Sequence, residues 1–194
     1  LFAYAITRTC MPFKGFFLLI ALIPLLSPSI LAAIALVYWF GNKGVLKALL
    51  FGHSIYGPIG IILASIYWTF PHALMILSTS LSLSDSRLYE AAEVLKTSKL
   101  RAFLTITIPG ARYGIISTTF VVFTQVFTDF GVPKVIGGNY NVLATDIYKE
   151  VVGMQNFQMG AVISLVLLIP AMVAFFVDQY SRKKQISLLT SRSV

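Results

Sequence analysis

Long runs of apolar residues without a charge divide this chain. Gly15 to Asn42 is 28 residues free of Asp, Glu, Lys and Arg, and Ala48 to Ser84 is 37, broken by turn formers at Tyr56, Gly57 and Pro58. Tyr113 to Thr128 adds 16 such residues and Val151 to Val177 another 27. A charge at the centre of a membrane helix costs roughly 2.5–3.5 kcal/mol, and about 20 apolar residues span a bilayer core as a helix. The pattern therefore predicts an all-α membrane protein, a polytopic helical bundle with spans at about 15–39, 58–80, 111–131 and 158–178. The third reaches spanning length only if its helix runs past Asp129. Pro24, Pro28, Pro71 and Pro170 fall inside these spans, where proline is tolerated because neighbouring groups re-satisfy the freed carbonyls. Kinks are expected, above all in the first span, which holds Pro24 and Pro28.

Residues 1–9 are apolar until Arg8 and read as the end of a further helix, not as a secretory leader, whose basic residues come first. With no initiator methionine, this order predicts a chain truncated at its N-terminus.

Only 11% of residues are charged and 57% are hydrophobic, whereas a soluble domain carries roughly 25% charge. Lipid must cover much of the surface. The net charge of +8 follows topology. With the N-terminal end in the cytoplasm, eleven Lys and Arg lie inside: Arg8, Lys14, Arg87, Lys96, Lys99, Arg101, Arg112, Arg182, Lys183, Lys184 and Arg192. Four lie outside: Lys43, Lys47, Lys134 and Lys149. That asymmetry is the positive-inside pattern and leaves no basic surface to assign to nucleic acid. The single cysteine excludes a disulfide framework, and two histidines offer little for a metal site.

The segment 85–110 differs from every other connection. With Arg112 it concentrates Asp85, Arg87, Glu90, Glu93, Lys96, Lys99 and Arg101. Leu88, Ala91, Ala92 and Leu95 follow the i, i+3, i+4, i+7 spacing of an amphipathic helix, with Asp85 or Ser86 available to cap its start. A second short helix, about Lys99 to Ile106, is expected to start at Thr97 or Ser98 and to end at Pro109. Periodicity alone leaves two readings open, a solvated connector and a docking helix for a cytosolic partner.

The run Glu90-Ala91-Ala92, followed by Ile106-Thr107-Ile108-Pro109, resembles the EAA loop of binding-protein-dependent transport permeases. That pattern is Glu-Ala-Ala, three residues, Gly, nine residues, Ile, one residue, Leu-Pro. Ile106, Ile108 and Pro109 take the last three positions at the same spacing, and Lys96 replaces the glycine. Glycine there would end a helix in the left-handed conformation. Lysine costs roughly 1–2 kcal/mol in that conformation, which predicts an elbow built differently.

The resemblance implies a permease of an ATP-binding-cassette importer in the bacterial cytoplasmic (inner) membrane. Its coupling loop, 85–110, would use Glu90, Ala91, Ala92, Lys96, Ile106, Ile108 and Pro109 to sit in a separate ATP-binding subunit. The implied partners are that ATPase, a periplasmic or extracellular solute-binding protein and a second permease half, identical, different or fused. No cofactor is expected in the chain itself, since ATP would be bound by the partner. The helix order corresponds to the last four and a fraction helices of a six-helix permease. RTCMPFKGFF at 8–17, FPHALMIL at 70–77 and FTDFGVPKVIGGNYNVLATDIYKEVVG at 127–153 are similar to permeases assigned to 2-aminoethylphosphonate uptake, with ferric-iron permeases the alternative.

Polarity inside the membrane concentrates in the third span. Thr118, Gln125 and Asp129 are spaced by seven and four, so they share a helix face, and intramembrane ionisable residues usually face a bundle interior or a wet path. They are the candidate substrate path, against the alternatives of helix packing and of an aspartate at the outer interface. The ammonium of 2-aminoethylphosphonate would suit Asp129. An enzyme lacks support, with no phosphate-binding glycine loop, zinc spacing or Gly-x-Ser-x-Gly elbow. A channel or secondary transporter is the remaining alternative, but it has no use for a charged two-helix cytoplasmic loop.

Overall fold

The computed structural model describes the backbone of residues 1–84 and 87–190, with side chains to Lys184. Asp85 and Ser86, the expected caps, and Arg192 of the basic tail lie outside the described residues. Among those described, the regular structure is helical: α1 (Phe2–Arg8), α2 (Lys14–Leu22), a 3-10 turn (Ile23–Leu26), α3 (Ser29–Phe40) and a 3-10 turn (Lys47–Leu50). There follow α4 (Pro58–Ser82), α5 (Arg87–Val94), α6 (Lys99–Ala102), a π turn (Phe103–Thr107) and α7 (Ile108–Gly110). The chain continues through α8 (Arg112–Phe127), α9 (Gly131–Ile136), α10 (Leu143–Tyr148), a π turn (Lys149–Gly153) and α11 (Phe157–Thr190).

Among the described residues two helices, α4 and Phe157–Lys184 within α11, are long and apolar enough to cross a membrane unaided, and up to four spans result if each bent helix pair counts as one. The first expected span is such a pair: Lys14–Leu26 and Ser29–Phe40 meet at 103°. Its cause is Pro28, which pushes the residue before it out of helical conformation. Ser27 sits at φ −116°, ψ 140°. Pro71 and Pro170, by contrast, lie within continuous helices. The third expected span also differs from its reading. Instead of continuing past Asp129, α8 stops at Phe127 after 16 residues, about 24 Å at 1.5 Å per residue. Lys99–Gly110 precedes it, bent from it by 65° at Ala111.

The chain forms two compact units, residues 1–19, 72–122 and 174–194 in one and residues 20–71 and 123–173 in the other. The first packs small residues. Ala3, Leu74, Leu81, Ala92, Ala111 and Ala174 are buried there, and a Cβ on Gly114 would lie 2.2 Å from the Ser80 hydroxyl. Small residues at such contacts let membrane helices approach closely. The second unit is built on Ala33, Ile55, Ala64, Val132 and Ile136, where α3 packs on α9 and the Gly57 amide donates to the Ile136 carbonyl at 2.8 Å. Only 17% of the α11 span is buried, against 33% of α4, so α11 offers the larger apolar face to lipid or to another subunit.

Candidate functional site

The 85–110 loop holds two helical pieces joined at Lys96, and the joint is the one that glycine would make. After α5 the Lys96 amide donates to the Glu93 carbonyl at 2.9 Å and the Thr97 amide to the Ala92 carbonyl at 2.9 Å. Lys96 has φ +49°. This is the paired-bond helix terminator that favours a left-handed residue after the last turn. The expected alternative elbow is therefore corrected: lysine adopts glycine's geometry and carries its strain. Relieving that strain should stabilise the loop by about 1 kcal/mol in Lys96→Gly. Hydrogen exchange at the Leu95 and Thr97 amides reads this, with slower exchange expected in the variant.

Beyond the elbow, Ser98 caps α6 by accepting from the Arg101 amide at 3.4 Å. Pro109 does not end the second helix, as sequence had suggested. It lies in the first turn of α7, where its missing N–H is no loss, and the preceding π turn absorbs the register, with Ile108 N–H bonded to the Phe103 carbonyl. Thr107, between Ile106 and Ile108, is buried and accepts from the Tyr89 hydroxyl at 2.9 Å.

The amphipathic stripe faces outward more than expected. Of its four members only Ala92 is buried, while Ala91 is exposed, Leu88 is 48% exposed and Leu95 77%. Val94 and Leu100 add further apolar surface, at 82% and 71%. Glu90 is exposed and makes no hydrogen bond or ion pair among the described residues. Ile106 is half-buried, and Ile108 and Pro109 are exposed. The loop thus leaves a carboxylate and several large apolar side chains exposed.

α8 ends before Asp129, so the helix face expected to join Thr118, Gln125 and Asp129 does not extend to the aspartate, and the three residues sit in different settings. Thr118 is buried in the first unit, and its Oγ1 makes no hydrogen bond among the described residues. Gln125, in the second unit, likewise has a buried Oε1 without a partner there. Asp129 is engaged: Ser29 Oγ donates to its Oδ1 at 2.6 Å, and the Val132 amide to its Oδ2 at 2.9 Å. The carboxylate therefore ties the start of α9 to the start of α3, ends where the helix dipoles favour a negative charge. A Cβ on Gly131 would lie 2.8 Å from Ser29 Oγ, so this close approach requires glycine.

Sequence reading missed one polar cluster. Asp178, which closes the last charge-free run, is buried. It accepts a short hydrogen bond from Ser117 Oγ and pairs with Arg182 at 2.9 Å. The i, i+4 spacing of Asp178 and Arg182 was the available signal. No spacing rule brings Ser117 to them.

Comparison with known sequences matches residues 11–186 to the family described as binding-protein-dependent transport system inner membrane component. The chain belongs to this family. As a binding-protein-dependent permease component it is an inner-membrane protein with a helical-bundle fold. Its relatives include the ferric transport system permease protein FbpB of Actinobacillus pleuropneumoniae, 27% identical over 91% of this chain and 27% of that protein. The spermidine/putrescine permease protein PotC homolog of Mycoplasma genitalium is 27% identical over 98% of this chain and 66% of its own length. The spermidine/putrescine permease protein PotB of Escherichia coli is 26% identical over 87% and 64%. The chain spans about a quarter of the length of the ferric relatives it matches.

Proposed function

We propose that this permease component is one transmembrane half of an ATP-driven importer, and that its 85–110 loop docks into a separate ATP-binding subunit. The observation that carries the reading is the unused surface of that loop. Leu88, Val94, Leu95 and Leu100 stay exposed on a charged segment of a membrane protein, and the loop continues through one 65° bend at Ala111 into α8. Fully burying a side chain of this size gains roughly 1.5–3 kcal/mol, so a partner groove accepting several has ample driving force. Motion of that partner would reach α8 through a helical segment, with no flexible linker between. A solute-binding protein and a second permease half complete the importer.

ATP hydrolysis should require the partner. Purified permease is expected to show none, and hydrolysis to appear when the ATPase subunit is added. Robust turnover by the permease alone would contradict the reading. The surface is tested by the double substitution Val94→Glu and Leu95→Glu, expected to weaken ATPase co-purification at least tenfold, about 1.4 kcal/mol. Undiminished co-purification would remove this face from the interface.

The solute we propose is small and polar, passing Thr118 and Gln125, whose buried oxygens have hydrogen-bonding capacity to spare. We place Asp129 on this path as well, beyond the end of α8 and with its carboxylate engaged by Ser29 and Val132. The phosphonate assignment rests on the three sequence stretches named above, while the relatives carry ferric and polyamine names. Calorimetry of the cognate binding protein with 2-aminoethylphosphonate, ferric iron and spermidine separates them. Binding of the phosphonate alone is the expected result, and binding of either other solute alone would replace it.

A further inference from the structure

Arg8 is the one basic residue of α1, and a topology signal needs nothing of it but its charge. The structure gives it a more specific setting. Its Nη2 donates to the Leu81 carbonyl and to the Ser84 carbonyl, both at 2.6 Å, and contacts the Ser84 hydroxyl. The last carbonyls of a helix have no partner within it; the Ser84 amide and hydroxyl also donate to the Leu81 carbonyl, and the guanidinium delivered from α1 ties the end of α4 to the turn that follows it. The same guanidinium lies 4.9 Å from the centre of the Tyr89 ring. Tyr89 precedes Glu90 in α5, and its hydroxyl donates at 2.9 Å to Thr107, which is 2% exposed and sits between Ile106 and Ile108. Tyr4, also on α1, meets Phe103 edge-on at 5.3 Å.

One chain of side-chain contacts thus links the ends of α1 and α4 to both halves of the 85–110 loop. Each link has a chemical requirement. One guanidinium nitrogen bonds both carbonyls while the same flat, delocalised group lies against the aromatic ring, a combination to which the compact, strongly hydrated ammonium of lysine is less suited. Tyr89 must offer a ring on one side and a hydroxyl at its tip.

We propose that Arg8 is a positioning residue for coupling: with Tyr89 it forms a strut that makes the two halves of the loop move with the ends of α1 and α4 as one body. Loss of the strut lets the loop rock in its ATPase groove without moving the membrane helices. This rests on the docking reading above, and the two are separable by experiment.

The test uses the assembled importer in lipid vesicles, the full permease with its ATPase subunit, and ATP hydrolysis measured with and without its purified binding protein. Arg8→Lys keeps the charge and hence the topology signal. It should leave subunit assembly and basal hydrolysis intact and reduce the binding-protein-stimulated to basal ratio fivefold or more. Tyr89→Phe keeps the ring, loses the Thr107 bond and should reduce the ratio about two- to threefold, and the double variant should be no worse than Arg8→Lys, since residues acting through one network are not additive. An unchanged ratio in both single variants overturns the strut. So does a parallel fall of basal and stimulated hydrolysis at constant ratio, which marks a contribution to folding alone. Glu90→Ala in the same vesicles distinguishes the two ideas. If it lowers the ratio while Arg8→Lys and Tyr89→Phe do not, only the strut is wrong. If it leaves assembly and ratio unchanged, the docking reading fails first.

Discussion

Glu90→Ala should reduce uptake at least tenfold while the permease still inserts and folds. Glu90 is exposed and unpaired among the described residues, so the permease's own fold loses no contact, and alanine is a better helix former. At a partner interface the balance reverses. Truncating one member of a buried hydrogen-bonded charge pair costs roughly 2–5 kcal/mol, partly because the partner's groups lose their pairing. Glu93 is the internal control, equally exposed and on the same helix, but outside the three-residue motif. Uptake, ATPase co-purification and hydrolysis are to be compared for Glu90→Ala and Glu93→Ala. A loss confined to Glu90 assigns the carboxylate to the ATPase groove. Equal losses would reduce the motif to general loop charge, and unchanged uptake in both would take Glu90 out of the mechanism.

The second large effect is expected at Asp129, where packing and transport can be told apart. Asp129→Ala removes the acceptor for Ser29 Oγ and for the Val132 amide. A hydrogen bond to a charged group contributes roughly 1.5–3 kcal/mol, and loss of a helix-start acceptor typically costs about 1 kcal/mol. Together these predict a loss of about 2–4 kcal/mol, read as a lower unfolding midpoint in detergent. Asp129→Asn keeps an acceptor oxygen and should recover most of that stability. Its transport is the informative number. Uptake that stays near the parent level makes the carboxylate architectural, a tie between the starts of α3 and α9. Uptake lost at retained stability makes the charge itself part of the path.

Membrane character, helix content and the special status of the 85–110 loop were legible in sequence because each follows from local pattern: charge-free length, helical spacing, motif spacing. The places where reading and structure part company are equally physical. The break at Pro28 was readable as a kink, but proline identity does not set an angle of 103°. α8 ends at Phe127, and beyond it Asp129 pairs with Ser29 a hundred residues away, a pairing with no sequence signal. Lys96 was expected to avoid the left-handed conformation on propensity alone. The two bonds that close α5 override that propensity, as local cost often yields to a completed hydrogen-bond pattern. Tyr89, Thr107 and Arg8 carried no motif signal either, since their partnership exists only once α1, α4 and α5 are brought together.

The claim on which the rest depends is that the exposed apolar face of the loop lies in the cytoplasm against an ATPase subunit. It is tested most directly by placing a photo-crosslinker on that face. Cys10 is the chain's single cysteine and is exposed, so Leu95→Cys in a Cys10→Ser background gives one addressable thiol. Carrying a benzophenone maleimide in the assembled importer, it should join the permease to the ATPase subunit on irradiation, with a yield that changes when ATP is added. Without the ATPase, the same thiol should react with an impermeant maleimide only from the cytoplasmic side. Labelling from the opposite side, or irradiation that yields no permease–ATPase product in an importer shown to be assembled, would contradict the account.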